Sequence, residues 1–328
     1  MNLEKLKSTF KLSLLFLAIS AFGCGTPEPP KSEVVINLPE TSTPLDIPDE
    51  KARKLIKYKA AIEPFFDRMQ IRKGDWLQSF SEPGQTFEEY ISQEPTLPTE
   101  SRKKIYIQPI GEFTNAQKKA IQLTSEFMRD FYNLPVVLFD TKPFGKIPKE
   151  MMRINPLDGQ TQIKTTYFLD ETLPKMLPED AAALICFTNS DLFPNESFNY
   201  VFGVASLDRR VGVWSLWRFG NPEKGKKNYD LFLARTLKVG MHETGHMFSI
   251  RHCTKYECLM SGSNHLDESD RRPLDVCPEC ALKIAWAMNY DLGERYEKLA
   301  FFCERVGWDE TKANFLKKAK AVKLVNIQ

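Results

Sequence analysis

No excess of charge of one sign marks this sequence of 328 residues, which has 45 lysines and arginines against 43 aspartates and glutamates. The balance gives no electrostatic reason to expect nucleic acid or an anionic membrane surface as a partner. The sequence also lacks a P-loop, a dinucleotide glycine fingerprint and a serine nucleophile elbow, and it has no internal repeat. These absences exclude the commonest nucleotide-dependent enzymes and serine hydrolases.

Histidine is also scarce, yet three of the four histidines lie within the eleven residues from His242 to His252. Four of the seven cysteines follow in the next twenty-eight residues, a concentration that is hard to explain by core formation alone. Residues i and i+4 lie on one face of a helix, so His242 and His246 can bind one metal ion. Glu243 lies one step round the helix, within reach of a water on that ion, which is the place of a general base.

A third ligand must come from outside this helical pair. His252 lies six residues after His246 and would face about 120° away on a continuous helix, which turns by about 100° per residue. The helix is therefore predicted to end between the two histidines. Three imidazoles with one open position are typical of catalytic zinc, which lowers the pKa of a bound water and polarises a carbonyl. Together with Glu243, this arrangement predicts peptide-bond hydrolysis near neutral pH.

Four features occur together in this region: a His-Glu-x-x-His run, a third histidine followed by cysteine, a downstream methionine and a Cys-x-x-Cys pair. This extended pattern resembles the archaemetzincin family of metzincin zinc peptidases. The resemblance implies an α/β (α+β) fold with a metzincin-like mixed twisted sheet, an active-site helix and a cysteine-rich carboxyl-terminal subdomain. It also implies two zinc ions in each chain, one catalytic and one structural.

The resemblance further assigns roles to particular residues. Glu243 is implied to be the catalytic base, and Met260 to form the turn beneath the metal. The ligands implied for the catalytic zinc are His242, His246 and His252. The ligands implied for the structural zinc are Cys253, Cys258, Cys277 and Cys280.

Two alternatives stay open on the sequence alone. If the chain is exported into an oxidising compartment, the four cysteines can form two disulfides, although the short gap between Cys277 and Cys280 favours a metal site. The chain can also be a non-catalytic, zinc-stabilised lipoprotein that acts as a binding module. The intact Glu243 argues against this second alternative, because a binding module needs no base beside its metal. The sequence does not distinguish an endopeptidase from an aminopeptidase.

One position departs from the metzincin pattern. Three residues after the second histidine, where glycine is usual, this chain has Ser249. A serine in the left-handed backbone conformation costs roughly 1–2 kcal/mol more than a glycine. The end of the helix is therefore predicted to be reshaped or strained at Ser249, with the same metal ligands.

The first residues have the character of a targeting segment. Lys5, Lys7 and Lys11 precede an apolar run over residues 12–22, and residues 1–23 resemble a secretory signal peptide. The run has about half of the roughly 20 residues that a membrane-spanning helix needs. Cys24 follows directly and is similar to the lipidated cysteine of bacterial lipoproteins, with plain secretion or an uncleaved signal as the alternatives.

Residues 24–48 are rich in proline and predict an extended tether, whereas residues 49–328 are expected to form the peptidase domain. We therefore expect an exported lipoprotein in the periplasm or at the cell surface, held to the membrane by its lipid alone. The expected partner is a peptide or protein substrate and not a nucleic acid. The chain is expected to be a monomer.

Hydrophobic periodicity predicts the remaining elements. Strands are expected over residues 104–110, 135–139 and 182–187. Helices are expected over residues 49–70 with an interruption near Pro64, 115–132, 167–177, 229–248 and 280–320. Residues 141–160 are predicted to be a loop. Outside the metal pattern, Cys186 and Cys303 are expected to be buried free thiols, and His265 is expected to be solvated.

Residues 200–207 and 210–217 predict a hairpin that is rich in valine, phenylalanine and tryptophan. The family resemblance implies that one of these two strands lies at the sheet edge above the zinc cleft and pairs with substrate backbone. In the alternative interpretation, Trp214 and Trp217 fill the core and the hairpin has no part in binding.

Overall fold

A mixed β-sheet lies at the centre of the molecule. The structure is a computed structural model and describes residues 14–19, 50–206 and 209–327. In chain order the strands are β1 (Leu14–Ile19), β2 (Lys104–Ile110), β3 (Val136–Leu138), β4 (Met152–Ile154), β5 (Thr161–Lys164), β6 (Ala181–Thr188), β7 (Asp191–Phe193), β8 (Tyr200–Ser206) and β9 (Val211–Ser215). Across the sheet they follow the order β3-β2-β6-β9-β8-β7-β5-β4, and β1 pairs with β8. The predicted mixed α/β fold class is confirmed.

Parallel strands make up one half of the sheet. Strand β2 pairs in parallel with β3 and β6, and β6 pairs in parallel with β9. Every residue of β6 is buried, as its continuous apolar sequence leads one to expect for a strand covered on both faces. Strand β8 then returns antiparallel to β9, with Gly203 opposite Trp214, and forms the predicted hairpin.

Helices cover this sheet. In the described part of the chain they are α1 (Glu50–Ile62), α2 (Trp76–Ser79), α3 (Phe87–Ser92), α4 (Asn115–Tyr132), α5 (Lys226–Met247), α6 (Leu266–Arg271), α7 (Pro278–Met288), α8 (Leu292–Val306) and α9 (Asp309–Ile327). Helix α4 begins at a capping box: the Thr114 side chain accepts from the Gln117 backbone, and the Gln117 side chain accepts from the Thr114 backbone. This cap explains why the helix begins where its amphipathic pattern predicts.

Helix α5 packs against both β9 and α4 and so places the histidines between sheet and helices. The Nε1 of Trp214 donates to the backbone oxygen of Val239 at 2.9 Å, which joins β9 to α5. A Cβ added to Gly240 would lie 3.3 Å from Cγ2 of Thr124, so the glycine permits α4 to approach closely. The apolar stripe predicted for this helix is buried, and its members are Leu233, Leu237, Met241, Thr244 and Phe248.

The carboxyl-terminal helices are joined to the cysteine-rich region through a buried carboxylate. Asp275 accepts from Arg295 of α8 at 3.2 Å and from Lys318 of α9 at 2.8 Å. All three side chains are buried, where a paired charge is tolerated and an unpaired one is costly. The four cysteines share one apolar core with the sheet and with α4 and α5.

The sequence predictions fail where elements are short. Residues 141–160 are not only a loop, because β4 lies within them, and β5 and β7 were not predicted. Residues 167–177, predicted to be one helix, form a π-helical turn (Tyr167–Thr172) and a 3-10 turn (Pro174–Met176). Strand β4 has only three residues, two of them exposed, so it produces no apolar run that a sequence pattern can detect.

The amino-terminal predictions lie mostly outside the described residues. Within the predicted signal peptide only β1 is described, and it pairs antiparallel with β8. Cys24 and the predicted tether over residues 24–48 lie outside the described part. Among the described residues, no helix has both the length and the apolar character needed to cross a bilayer.

Candidate metal centre and active site

The structure brings His242, His246 and His252 together at one buried point. The Nε2 atoms of His242 and His246 lie 2.9 Å apart, as expected for positions i and i+4 of α5. The ligand atoms of all three histidines lie within 4.8 Å of one another, and each residue is at most 4% exposed. The side chains predicted to bind one ion therefore converge.

This convergence depends on how α5 ends. The helix stops at Met247, and Ser249 adopts a left-handed conformation with φ of +63°. The Ser249 N–H donates to the His246 oxygen at 2.8 Å, and the Ile250 N–H donates to the Gly245 oxygen at 3.1 Å. These two bonds form a Schellman motif, which reverses the chain and returns His252 to its partners. The helix end and the strained serine are both as predicted from the sequence.

Each imidazole is held through its Nδ1 atom. His242 Nδ1 lies 2.8 Å from the Leu259 carbonyl oxygen, and His246 Nδ1 lies 2.6 Å from the Ile250 carbonyl oxygen. His252 Nδ1 lies 2.9 and 3.0 Å from the two carboxylate oxygens of Glu82. Because these oxygens can only accept a hydrogen bond, Nδ1 carries a proton in each ring, and the neutral form of each imidazole then has its lone pair on Nε2. In that form all three rings direct a lone pair to the common point.

Protonation of His242 and His246 is disfavoured at this site. Burial lowers the pKa of His242 to about 3, and burial also holds the pKa of His246 well below its ordinary value. Three converging imidazoles are a donor set that suits zinc. The residues present therefore fit the metal that the sequence predicts.

Glu243 lies beside this donor set with no hydrogen-bond partner among the described residues for either carboxylate oxygen. The residue is 1% exposed, and burial raises the pKa of its carboxyl to about 8. A Cβ added to Gly203 of β8 would lie 3.4 Å from Cγ of Glu243, so this strand passes directly over the side chain. A buried carboxylate without a partner is rare, and its place here requires an explanation.

Met260 packs against the active-site helix from the other direction. A Cβ added to Gly245 would lie only 2.6 Å from the Met260 sulfur, so the glycine in the His-Glu-x-x-His run makes room for this methionine. The Cys253 N–H donates to the Met260 oxygen at 2.8 Å and closes the loop between them. Met260 therefore occupies a turn against α5, and its place beneath the metal stays a prediction.

The four predicted cysteines form a second cluster. Their sulfur atoms lie within 4.8 Å of one another, all four residues are buried, and none forms a disulfide. Hydrogen bonds from the other three thiols hold the pKa of Cys253 well below its usual range, whereas burial raises the pKa of Cys258. Cys277 precedes α7 and Cys280 lies in its first turn, where the helix dipole stabilises negative charge. The four sulfur atoms are close enough together that they could hold one metal ion.

Other predicted side chains have structural positions. Trp214 is fully buried, whereas Trp217 is 44% exposed, so only the first of them fills the core. Cys186 and Cys303 are buried free thiols, as predicted. His265 is only partly exposed, and its Nδ1 accepts from the Glu268 backbone at the start of α6, a capping role that was not predicted.

A group of residues that sequence reasoning missed comes from the strap, which we define as residues 66–97. Besides Glu82, the strap contacts the turn that ends α5 at three points. The Tyr90 hydroxyl donates to the Phe248 oxygen at 2.9 Å, and the Thr96 N–H donates to the Ser249 hydroxyl at 3.0 Å. The Arg251 N–H donates to the Gln85 side chain at 3.1 Å. No local pattern reveals these contacts, since the partners are more than 150 residues apart.

Comparison with known proteins agrees with this geometry. The sequence profile of Peptidase family M54 matches residues 170–286, which include every predicted metal ligand, Glu243 and Met260. Archaemetzincin-2 of Homo sapiens is 36% identical over 256 residues, which cover 69% of this chain and 71% of the relative. This chain belongs to the archaemetzincin family. It is therefore a zinc metallopeptidase.

Other archaemetzincins show how far the likeness extends. Archaemetzincin-1 of Homo sapiens is 30% identical over 273 residues, which cover 74% of this chain and 54% of the relative. The solved archaemetzincin of Methanopyrus kandleri is 24% identical with a TM-score of 0.47, and the match covers 59% of this chain and 99% of that one. Glu82 and the rest of the strap lie outside the residues that the family profile matches.

Two substitutions at Ser249 separate backbone strain from hydrogen bonding. Ser249→Ala removes the hydroxyl that accepts from Thr96 and keeps a Cβ in the left-handed conformation, so it should lower the free energy of unfolding by about 1 kcal/mol. Ser249→Gly removes the same bond but relieves a penalty of roughly 1–2 kcal/mol. In urea denaturation the glycine variant should be the more stable of the two by about 1 kcal/mol. Equal stabilities would contradict the assigned strain.

Proposed function

We propose that the chain hydrolyses peptide bonds with a zinc ion bound by His242, His246 and His252 and with Glu243 as general base. The observation that carries the proposal is the buried, unpartnered carboxylate of Glu243 beside three converging imidazoles. Burying a carboxylate without a partner is costly, so its position is best explained by a bound group that it serves.

The chemistry of each residue type assigns its role in the proposed reaction. Bound zinc supplies a Lewis acid that activates a water and polarises the substrate carbonyl. Glu243 accepts the proton of the attacking water at a carboxylate oxygen and returns it to the nitrogen of the leaving amine. The Nδ1 contacts keep the rings in the tautomer that leaves Nε2 free for the metal. The close contact between Met260 and Gly245 sets the distance between α5 and the turn that contains Met260.

The outer edge of β8 is the proposed site for substrate backbone. Strand β9 is paired with β6 on one side and with β8 on the other, whereas β8 pairs with β9 over residues 203–206 and meets β7 only at Val201, so β8 is the candidate of the two. The antiparallel pairing of β1 along β8, from Leu14 opposite Ser206 to Ile19 opposite Tyr200, supports an edge that accepts extended chain. Removal of residues 1–23 as a signal peptide would free this edge directly above Glu243.

Glu243→Gln tests the proposed base with little change in shape. The variant should retain its zinc, because the glutamate is not a ligand, and should lose at least about 100-fold in kcat, the usual scale of general base catalysis. Peptide cleavage and bound zinc are measured on the same preparation. If the variant cleaves peptides as fast as the parent, Glu243 is not the base. Zinc binding without any cleavage by the parent would instead favour the non-catalytic binding module.

We also propose that the cysteine cluster binds a second, structural zinc. The sulfur atoms of Cys253 and Cys277 lie 3.5 Å apart. Four thiolates at about 2.3 Å from one tetrahedral ion have sulfur separations near this value, whereas a disulfide bond is about 2.0 Å long. The backbone N–H groups of Met260 and Cys277 donate to the Cys258 sulfur, an arrangement that stabilises a thiolate.

Metal analysis of purified protein tests the two-zinc proposal. The parent should contain two zinc ions per chain, and His246→Ala and Cys280→Ser should each contain one. The cysteine variant should also unfold at a lower temperature, because a structural zinc contributes directly to folding. The contrary result would be one zinc in the parent, with four cluster cysteines that do not react with thiol reagents after denaturation without reductant. That result would show that disulfides take the place of the second metal.

Export and lipidation at Cys24 remain a separate proposal, supported by the basic residues and apolar run that precede this cysteine. Expression in a bacterial host with labelled palmitate should give a labelled, membrane-associated chain. Cys24→Ser should abolish the label and release the chain from the membrane fraction. Full labelling of that variant would show that Cys24 is not the lipidated residue.

A further inference from the structure

The third histidine differs from the other two in what holds it. His242 and His246 contact carbonyl oxygens of Leu259 and Ile250, so the backbone of the adjoining loops orients both rings. His252 lies beyond the end of α5, and no backbone oxygen of the described residues accepts at its Nδ1. Its ring is held instead by the carboxylate of Glu82, which lies 170 residues earlier in the chain.

The geometry of this contact is that of a directed hydrogen bond. Both oxygens of Glu82 are within 3.0 Å of His252 Nδ1, so a small rotation of the carboxylate does not break the contact. The His252 side chain is 4% exposed and that of Glu82 is 25% exposed, so water screens the pair only in part. A carboxylate on Nδ1–H fixes the tautomer and increases the electron density at Nε2, which faces the other two histidines.

Neighbouring side chains fix the position of this pair. The ring of Trp76 packs edge-on against His252, with ring centroids 5.3 Å apart. A Cβ added to Gly262 would lie 2.6 Å from the indole of Trp76, so the indole fills the space that this glycine leaves. The backbone N–H of Trp76 in turn donates to the buried carboxylate of Glu268 at 3.0 Å. The strap therefore supplies both the partner of His252 and the wall against which its ring is packed.

We infer that Glu82 is a positioning residue of the catalytic zinc site, acting through His252 in a carboxylate–histidine–metal arrangement. The inference rests on the proposed assignment of His252 as a zinc ligand and extends it to a residue outside the stretch that the family profile matches. The metal centre then has two parts: residues 242–260 provide the ligands and the base, and the strap sets the orientation of the third ligand.

Zinc affinity is the direct test, because it needs no substrate. The full chain is compared as parent, Glu82→Gln, Glu82→Ala and the control Glu100→Ala, which removes an exposed carboxylate just beyond the strap. Zinc at the histidine site is titrated against a chelator, while thiol reactivity follows the cysteine cluster separately. Glu82→Ala should weaken zinc binding at the histidine site by roughly 10–100-fold, the usual effect of losing such a partner.

Glu82→Gln provides the conservative rescue. Its amide oxygen still accepts from His252 Nδ1 but carries no charge, so its zinc affinity should lie between those of the parent and Glu82→Ala. With cobalt in place of zinc, Glu82→Ala should also change the visible absorption of the histidine site, which a loss of general stability does not alter. Parental affinity and spectrum in Glu82→Ala, or an equal loss of affinity in Glu100→Ala, would overturn the inference.

The test also separates this inference from the proposed function. In one outcome the parent binds zinc but cleaves no peptide, and Glu82→Ala binds zinc weakly. This outcome would support the role of Glu82 and contradict the peptidase mechanism. Normal cleavage by Glu82→Ala at limiting zinc would contradict the role of Glu82 and leave the mechanism standing.

Discussion

Two imidazoles at positions i and i+4 define one face of a helix, and a third can join them only if the helix stops and the chain reverses within a few residues. In this protein α5 ends at Met247, and the left-handed Ser249 completes a Schellman motif that brings His252 back to the pair. Glycine is the usual residue for such a turn. The serine at this position makes a contact that offsets part of its backbone strain, because its hydroxyl accepts a hydrogen bond from the Thr96 N–H.

Bound metal ions best explain why several buried polar groups lie close together in this protein. Three imidazoles converge on one point, a carboxylate next to them has no partner among the described residues, and four thiols meet in the same core. Each of these features costs free energy in an empty protein interior. The proposed zinc ion at each cluster would offset that cost, and the metal would then contribute to the stability of the fold as well as to its chemistry.

The convergence of the three histidines was predictable because its information is local. The spacing of His242, His246 and His252, and the rarity of histidine elsewhere, identify the site without any tertiary structure. The strain at Ser249 was predictable too, since it follows from one residue at one position of a known turn. Glu82 was not, because carboxylates are common and its contact joins residues far apart in the chain. Strands β4, β5 and β7 were missed since three or four residues leave no periodic pattern.

Anomalous diffraction at the zinc edge, on crystals grown with zinc, tests the account most directly. The account predicts a peak about 2.0–2.1 Å from the Nε2 atoms of His242, His246 and His252 at once, with Glu82 still in contact with Nδ1 of the third ring. A metal bound by the two helical histidines alone, with the ring of His252 turned away, would contradict it.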